Sequence, residues 1–254
     1  IKADKIYFVN EDNGLINPEV QTVIPDLKGN IWMGTMGGLA KFHPVTGNYR
    51  DFNEAEGLSD LGIHALAVDK NNQVYIGTTN GIYKFDELKD TITLFLSSAL
   101  TSKTVNSLLF YNDTTLIVAT NLGFNKICFD HSLSKPLKVT SYDKMNGFKF
   151  IETNQNAICK DSKNRVWFGT VSGLTRYQPE LEDTITETPV VYIKNIRLSF
   201  ESVDWKAKGL KILEWFNTPQ ELSLKYNQNH ITFDFDGLYL RNPEKVQFRH
   251  KLEP

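Results

Sequence analysis

A short phrase that occurs four times constrains the fold of this chain more than any other feature. It reads IWMGT at residues 31–35 and VWFGT at 166–170, with weaker copies VYIGT at 74–78 and LIVAT at 116–120. Repetition at intervals of roughly 40–50 residues is typical of repeat architectures, in which each copy forms one supersecondary unit. The chain is therefore expected to contain four similar units in succession.

Each copy lies in the same frame of turns. A turn that begins with Asp precedes the phrase in the first, second and fourth copies, at 26–29, 69–72 and 161–164, and a turn that ends in Gly follows it in every copy, as at 36–38 in the first. Asp at the first turn position accepts hydrogen bonds from backbone two residues on, and Gly tolerates positive φ at the last. Helical periodicity is absent, and four short strands per unit indicate a blade of a β-propeller.

Residues 1–180 are therefore predicted to form four blades, each an antiparallel sheet of three or four strands. Trp32 and Trp167 are predicted to be buried between blades, and Gly34 to mark a close approach of neighbouring backbone. The turn aspartates are interpreted as structural, because one carboxylate per turn is far from a calcium site. The sequence leaves open whether four blades close on themselves or belong to a larger wheel.

The C-terminal third has a different pattern. Residues 181–189 are acidic and end in Pro, which predicts a linker. Strands are predicted at 190–200, at 231–235, where apolar and polar residues alternate, and at 246–252, and a mixture of loop and strand at 203–213. Residues 190–254 are therefore expected to form a separate β module.

Both parts resemble one family. The pattern Asp-x-x-Gly/Asn-x-apolar-Trp-apolar-Gly-Thr-x-x-Gly-Leu resembles the repeat of the two-component regulator propeller family, which forms the periplasmic sensor regions of bacterial hybrid histidine kinases. The segments LKY at 224–226, NHITFDF at 229–235 and FRHKL at 248–252 are similar to the tyrosine-rich sandwich module that follows those propellers. Phe248 and His250 stand where that module has tyrosines. The implied fold is all-β, a partial propeller of four blades followed by an incomplete Ig/fibronectin-like sandwich.

The resemblance implies a non-catalytic sensor region, periplasmic, in a parent protein anchored in the inner membrane. It implies a small glycan-derived ligand and a homodimer of ectodomains. Because propeller ligands usually meet the loops at one end of the wheel, repeat equivalence gives Met36, Asn80, Asn121 and Ser172 as candidate ligand-binding residues. The simpler explanation of Asn and Ser at these positions is that they are turn formers.

Composition and motifs limit the alternatives. The net charge of −2 gives no reason to expect nucleic acid as a partner. The five histidines are scattered without metal-ligand spacing, and no catalytic or nucleotide-binding motif occurs. No catalytic residue, metal or cofactor is therefore predicted, and Cys128 and Cys159 are expected to be unpaired, buried thiols.

The competing hypotheses are a protein-binding propeller scaffold and a propeller enzyme such as a polysaccharide lyase. If the chain is a piece of a wheel, apolar blade faces are left uncovered at its ends. Self-association through those faces, or through the C-terminal strand, is then expected.

Overall fold

The computed structural model describes residues 9–149, 152–182, 190–213, 215–238 and 248–251. The chain divides into two compact units, residues 1–182 and 183–254, and each is described by itself. Helical structure in the described residues consists of three-residue 3-10 turns at Glu11–Asn13, Glu54–Glu56, Lys144–Asn146 and Pro179–Leu181. No helix in this part of the chain is long and apolar enough to span a bilayer.

Fifteen strands make up the first unit. They are β1 (Val20–Pro25), β2 (Ile31–Thr35), β3 (Gly38–His43), β4 (Asn48–Phe52), β5 (Ala65–Val68), β6 (Val74–Thr78), β7 (Gly81–Asp86), β8 (Thr91–Leu96), β9 (Val105–Asn112), β10 (Thr115–Thr120), β11 (Gly123–Phe129), β12 (Pro136–Tyr142), β13 (Thr153–Lys160), β14 (Val166–Thr170) and β15 (Gly173–Tyr177).

These strands form four separate antiparallel sheets, in which each strand pairs with the next along the chain. The sheets are β1–β4, β5–β8, β9–β12 and the three-stranded β13–β15. The prediction of four successive sheets of three or four strands is confirmed. We call them the first to fourth blades.

The Asp-led turn and the Trp of the phrase form one hydrogen-bonded unit. The carboxylate of Asp26 accepts from the backbone N–H of Lys28 and Asn30, and from the indole Nε1 of Trp32 at 3.0 Å. Asp161 holds Trp167 in the same way, at 2.8 Å. These recurring residues therefore fix the hairpin between the first two strands of a blade.

The second strand of the first blade packs against residues of the second blade. Trp32 is 1% exposed and lies 4.9 Å from the ring of Phe85, on the third strand of the second blade. A Cβ atom added to Gly34 would stand 2.4 Å from Cγ2 of Ile63, which precedes β5. The small residue of the phrase therefore makes room for a side chain of the next blade, rather than for its backbone as predicted.

The prediction that Trp167 is buried between blades is wrong. Trp167 is half-buried, because the first unit has no further described blade after the fourth, and its ring is flanked by the guanidinium carbons of Arg165 and Arg176 at 5.3 and 5.9 Å. The thiol prediction also needs correction. Cys128 and Cys159 are free, but Cys128 is only half-buried and Cys159 is exposed.

A capped 3-10 turn begins two of the connections between blades. Asn53 and Asp143 accept hydrogen bonds from backbone two residues on, and Gly57 closes the first turn with a φ of +101°. The next residues, Leu58 and Phe148, are buried in the core. The apolar residue that follows the glycine of each turn thus anchors its connection in the core.

In the second unit, one sheet has the order β17 (Glu201–Ser202), β16 (Val190–Leu198) and β18 (Ile231–Leu238). Trp205 is 2% exposed and donates its indole N–H to the carbonyl of Ile196 at 2.9 Å. Residues 203–213 are turns with a single bridge from Ile212 to Pro219, so the predicted strand there does not form. Of the predicted strand at 246–252, residues 248–251 have no regular structure and the others lie outside the described residues, as does 183–189 of the predicted linker.

Candidate functional site

The turns between the second and third strands carry the residues that the sequence singles out. In each, the Thr that ends the phrase bridges the turn with its hydroxyl. Thr35 donates to the carbonyl of Gly38 at 2.8 Å and accepts from the N–H of Gly37 at 3.1 Å. Thr78, Thr120 and Thr170 donate to Gly81, Gly123 and Gly173 in the same manner. Thr is therefore the residue that holds this turn in shape.

These turns share one end of the first unit with the connections between blades. The N–H of Ile63 donates to the carbonyl of Thr35 at 2.9 Å, and the hydroxyl of Thr153 donates to the carbonyl of Thr120 at 2.9 Å. The carboxylate of Asp60 accepts from the N–H of Thr79 at 2.8 Å. We call this surface the turn end, comprising turns 36–38, 79–81, 121–123 and 171–173 and connections 53–64, 97–104 and 143–149.

The four predicted ligand-binding residues lie in these turns, but not at one equivalent position. Met36 and Asn121 directly follow the Thr, whereas Asn80 and Ser172 stand one residue later. Met36 and Ser172 are exposed. The amide of Asn80 donates to the hydroxyls of Tyr83 at 3.3 Å and Ser59 at 3.5 Å. Their role in binding a ligand stays a prediction.

Sequence reasoning missed a second polar set, on the first strand of each blade. Thr22, Ala65 and Ser107 pair with the small residues of the phrase, and Ala157 contacts the fourth. The residue before each is polar, and the set consists of Gln21, His64, Asn106 and Asn156. Aligning the four copies at these first strands would have revealed it.

These polar side chains link neighbouring first strands. The amide of Asn106 donates to the carbonyl of Thr153 in the fourth blade at 2.6 Å. The amide of Asn156 in turn donates to the carbonyl of Gln21 in the first blade at 2.9 Å. The first strands of the fourth and first blades are thus in contact.

His64 and Asp60 are two ionisable residues of the turn end whose pKa values are shifted from their ordinary values. Burial lowers the pKa of the His64 imidazole below its ordinary value, against the opposing effects of the Asp60 carboxylate and the Val105 backbone. Its Nδ1 has no hydrogen-bond partner in the part of the chain described. Burial raises the pKa of Asp60, but hydrogen bonds from Thr79 and Gly62 outweigh this and hold it below its usual value. At neutral pH the site therefore presents a neutral imidazole, an ionised carboxylate and several amides.

Such an arrangement suits hydrogen bonding to an uncharged polar ligand. Amide and hydroxyl groups both donate and accept, as sugar hydroxyls do. Among the described residues no group of three or more His, Cys, Asp and Glu side chains lies close enough to hold a metal ion.

No protein-family model and no curated protein matches the sequence. Among solved structures, the chain is similar to the extracellular domain of a proposed hybrid two component system, BT3049 from B. thetaiotaomicron. The TM-score is 0.70 and the identity 20%, covering 92% of this chain and 31% of that one.

A second such extracellular domain, of BT4673 from the same organism, gives a TM-score of 0.55 at 17% identity, covering 91% of this chain and 30% of that one. The chain thus spans about a third of the length of these structures. At these identities the likeness establishes the fold, and it confirms the predicted all-β class of propeller blades followed by a further β module.

Proposed function

We propose that this chain is part of the extracellular sensor region of a two-component signalling protein. The observation that carries the proposal is the likeness to the BT3049 extracellular domain, which extends over 92% of the chain and so includes residues of both units. Propeller folds host many functions, so the shared order of blades and further β module is more specific than the blades alone.

The proposal places this region on the periplasmic side of the inner membrane, in a parent protein anchored there. The region itself is non-catalytic, and it passes its signal to a histidine kinase elsewhere in the parent. Two ectodomains associate as a homodimer, which gives the signal a way to change the spacing of two chains.

The proposed ligand is a small glycan-derived molecule that binds at the turn end. The neutral amides and hydroxyls of this surface support that class, because they match the hydrogen-bonding pattern of sugar hydroxyls. Asn121 is the residue best suited to ligand contact. The residue is half-buried, and its side-chain Oδ1 accepts no hydrogen bond from the described residues, so a rotation that presents this oxygen to a ligand donor would break no existing hydrogen bond of that atom.

Two measurements test the proposal. The gene sequence that follows codon 254 should encode a membrane span and then a kinase core, and an open reading frame without them contradicts the sensor role. For the ligand, calorimetric titration of the full chain with defined oligosaccharides should give saturable binding.

Asn121→Ala should weaken that binding by about tenfold, the loss expected for one hydrogen bond of about 1.4 kcal/mol. Asn48→Ala is the matched control, since Asn48 lies in the hairpin between β3 and β4, at the opposite end of the blade. Equal weakening by both substitutions would exclude the turn end as the site.

A further inference from the structure

The carboxylate of Glu182, the last residue of the first unit, is held by three side chains of the third and fourth blades. It accepts hydrogen bonds from the hydroxyls of Tyr142 and Tyr177, the latter at 2.5 Å, and it pairs with the ammonium group of Lys126. Lys126 Nζ also lies 3.5 Å from the Tyr177 hydroxyl. One carboxylate is thus matched by a cation and two hydroxyl donors that converge on it.

The site is built from rigid, packed aromatic residues. The rings of Phe124 and Tyr142 are stacked at 4.4 Å with an interplanar angle of 4°, and Tyr177 packs 4.9 Å from Phe124. Phe124 is itself 2% exposed. The side chains of Lys126 and Glu182 are 19% and 27% exposed, so the ion pair is mostly shielded from water. The donors are therefore preorganised for an anionic group.

The equivalent lysine of the second blade has a different partner. Lys84 donates to the backbone carbonyl of Leu133 at 3.2 Å. Burial lowers the pKa of Lys84 below its ordinary value, and the turn carboxylate of Asp69 offsets only part of this effect. The third blade has Tyr111 at the position of Asp69, six residues before its counterpart of Tyr75. The third blade therefore has Tyr rather than Asp at this turn position, and the carboxylate that pairs with Lys126 is that of Glu182.

We propose that Lys126, Tyr142 and Tyr177 form a carboxylate receptor in the gap between the third and fourth blades, which Glu182 occupies as a tethered ligand. Its occupancy fixes the point at which the chain leaves the first unit for the second. Free carboxylates compete for, or substitute in, the same receptor. This inference is independent of the sensor proposal.

The test is chemical rescue in the full chain. Glu182→Ala removes the tethered carboxylate and leaves space for acetate. The amide N–H groups at positions 181 and 182 donate to Gln178 and Pro179 at 3.1 Å, so their hydrogen exchange reports on the anchored segment. We expect Glu182→Ala to accelerate their exchange by about tenfold. Sodium acetate should restore protection saturably, whereas sodium chloride and acetamide at equal concentration should not.

Two further variants make the result decisive. Glu180→Ala is the matched control, since Glu180 is exposed, and it should leave the exchange rates of both amides unchanged. The triple variant Glu182→Ala, Tyr142→Phe and Tyr177→Phe keeps the packed rings but removes two donors, and should lose the acetate effect. Unchanged exchange in Glu182→Ala overturns the anchoring role, and acceleration without rescue by acetate overturns the receptor.

Discussion

The first and fourth blades carry the same sequence phrase in different surroundings. Trp32 is 1% exposed and Leu39 is fully buried, whereas Trp167 is half-buried and Leu174, the counterpart of Leu39, is 65% exposed. The first blade is covered by β5–β8, and within the first unit no described blade follows the fourth. Residues of the phrase therefore form a surface that packs against the next blade, and this surface is fully buried only where such a blade is present.

The contacts within a blade do not depend on that neighbour. Asp26 bonds Trp32 at 3.0 Å, and Asp161 bonds Trp167 at 2.8 Å, although only the first Trp is enclosed. Local hydrogen bonding is thus preserved where the hydrophobic contact is lost. Comparison of the two blades thus distinguishes the Asp–Trp hydrogen bond, which a hairpin forms by itself, from the burial of the Trp ring, which requires a second sheet.

The largest expected difference concerns the two tryptophans. Trp32→Ala should lower the free energy of unfolding by about 3–5 kcal/mol, because it leaves a cavity against Phe85 and Phe52. Trp167→Ala should cost less, about 1–2 kcal/mol, since its ring is already partly exposed and contacts no following blade. Urea unfolding followed by circular dichroism measures both, and equal losses would remove the distinction between the blades.

The sequence contains enough to predict the blades but not their surroundings. The recurrence of Asp, Trp and Thr predicts the hairpins, because the hydrogen bonds of these residues join positions only three to six apart. The exposure of Trp167 was not predictable, since it depends on whether another blade packs against the fourth. The polar set represented by His64 and Asn106 was missed because these residues lie one strand before the phrase, where the copies share polarity but not identity.

Gly34 in the first blade and Gly169 in the fourth should show the same difference between the blades, with a smaller effect on stability. Gly34→Ala should destabilise the chain by about 1–3 kcal/mol, because the new methyl would overlap Ile63 of the next connection and Thr22. At Gly169 the added Cβ would meet only Ala157, in its own sheet, at 2.9 Å, so Gly169→Ala should cost less. Thermal unfolding of both variants checks the order, and a greater loss for Gly169→Ala would reverse it.

Acid should weaken the Asp–Trp unit. Burial raises the pKa of Asp26, but hydrogen bonds from Asn30, Trp32 and Lys28 outweigh it and hold the pKa below the ordinary 3.8. A carboxyl whose pKa is lower in the folded state stabilises the fold above the ordinary pKa, and this stabilisation is lost as pH falls through the folded value. The urea concentration at the midpoint of unfolding should therefore fall as the pH is lowered below 4, and it should fall less steeply in Asp26→Asn. Identical pH profiles for the two proteins would contradict this role.

The smallest effect on stability is expected at the uncovered face of the fourth blade. Leu174→Lys should change the free energy of unfolding by no more than about 0.5 kcal/mol, as for most surface substitutions. It should nonetheless reduce self-association in sedimentation velocity, if blade faces meet between copies. Val45→Lys, in the 90% exposed turn between β3 and β4, is the control and should leave association unchanged. A shared decrease would place the contact elsewhere.

Hydrogen exchange of the chain, at a concentration where it is monomeric, tests most directly the claim that a following blade determines how firmly each blade is held. The amides of β6 and β7, which lie between covered faces, should exchange most slowly, and those of β14 and β15 should exchange about tenfold faster or more. Equal protection of β6 and β14 in the monomer would contradict the account, because it would show that the fourth blade needs no neighbour for its stability.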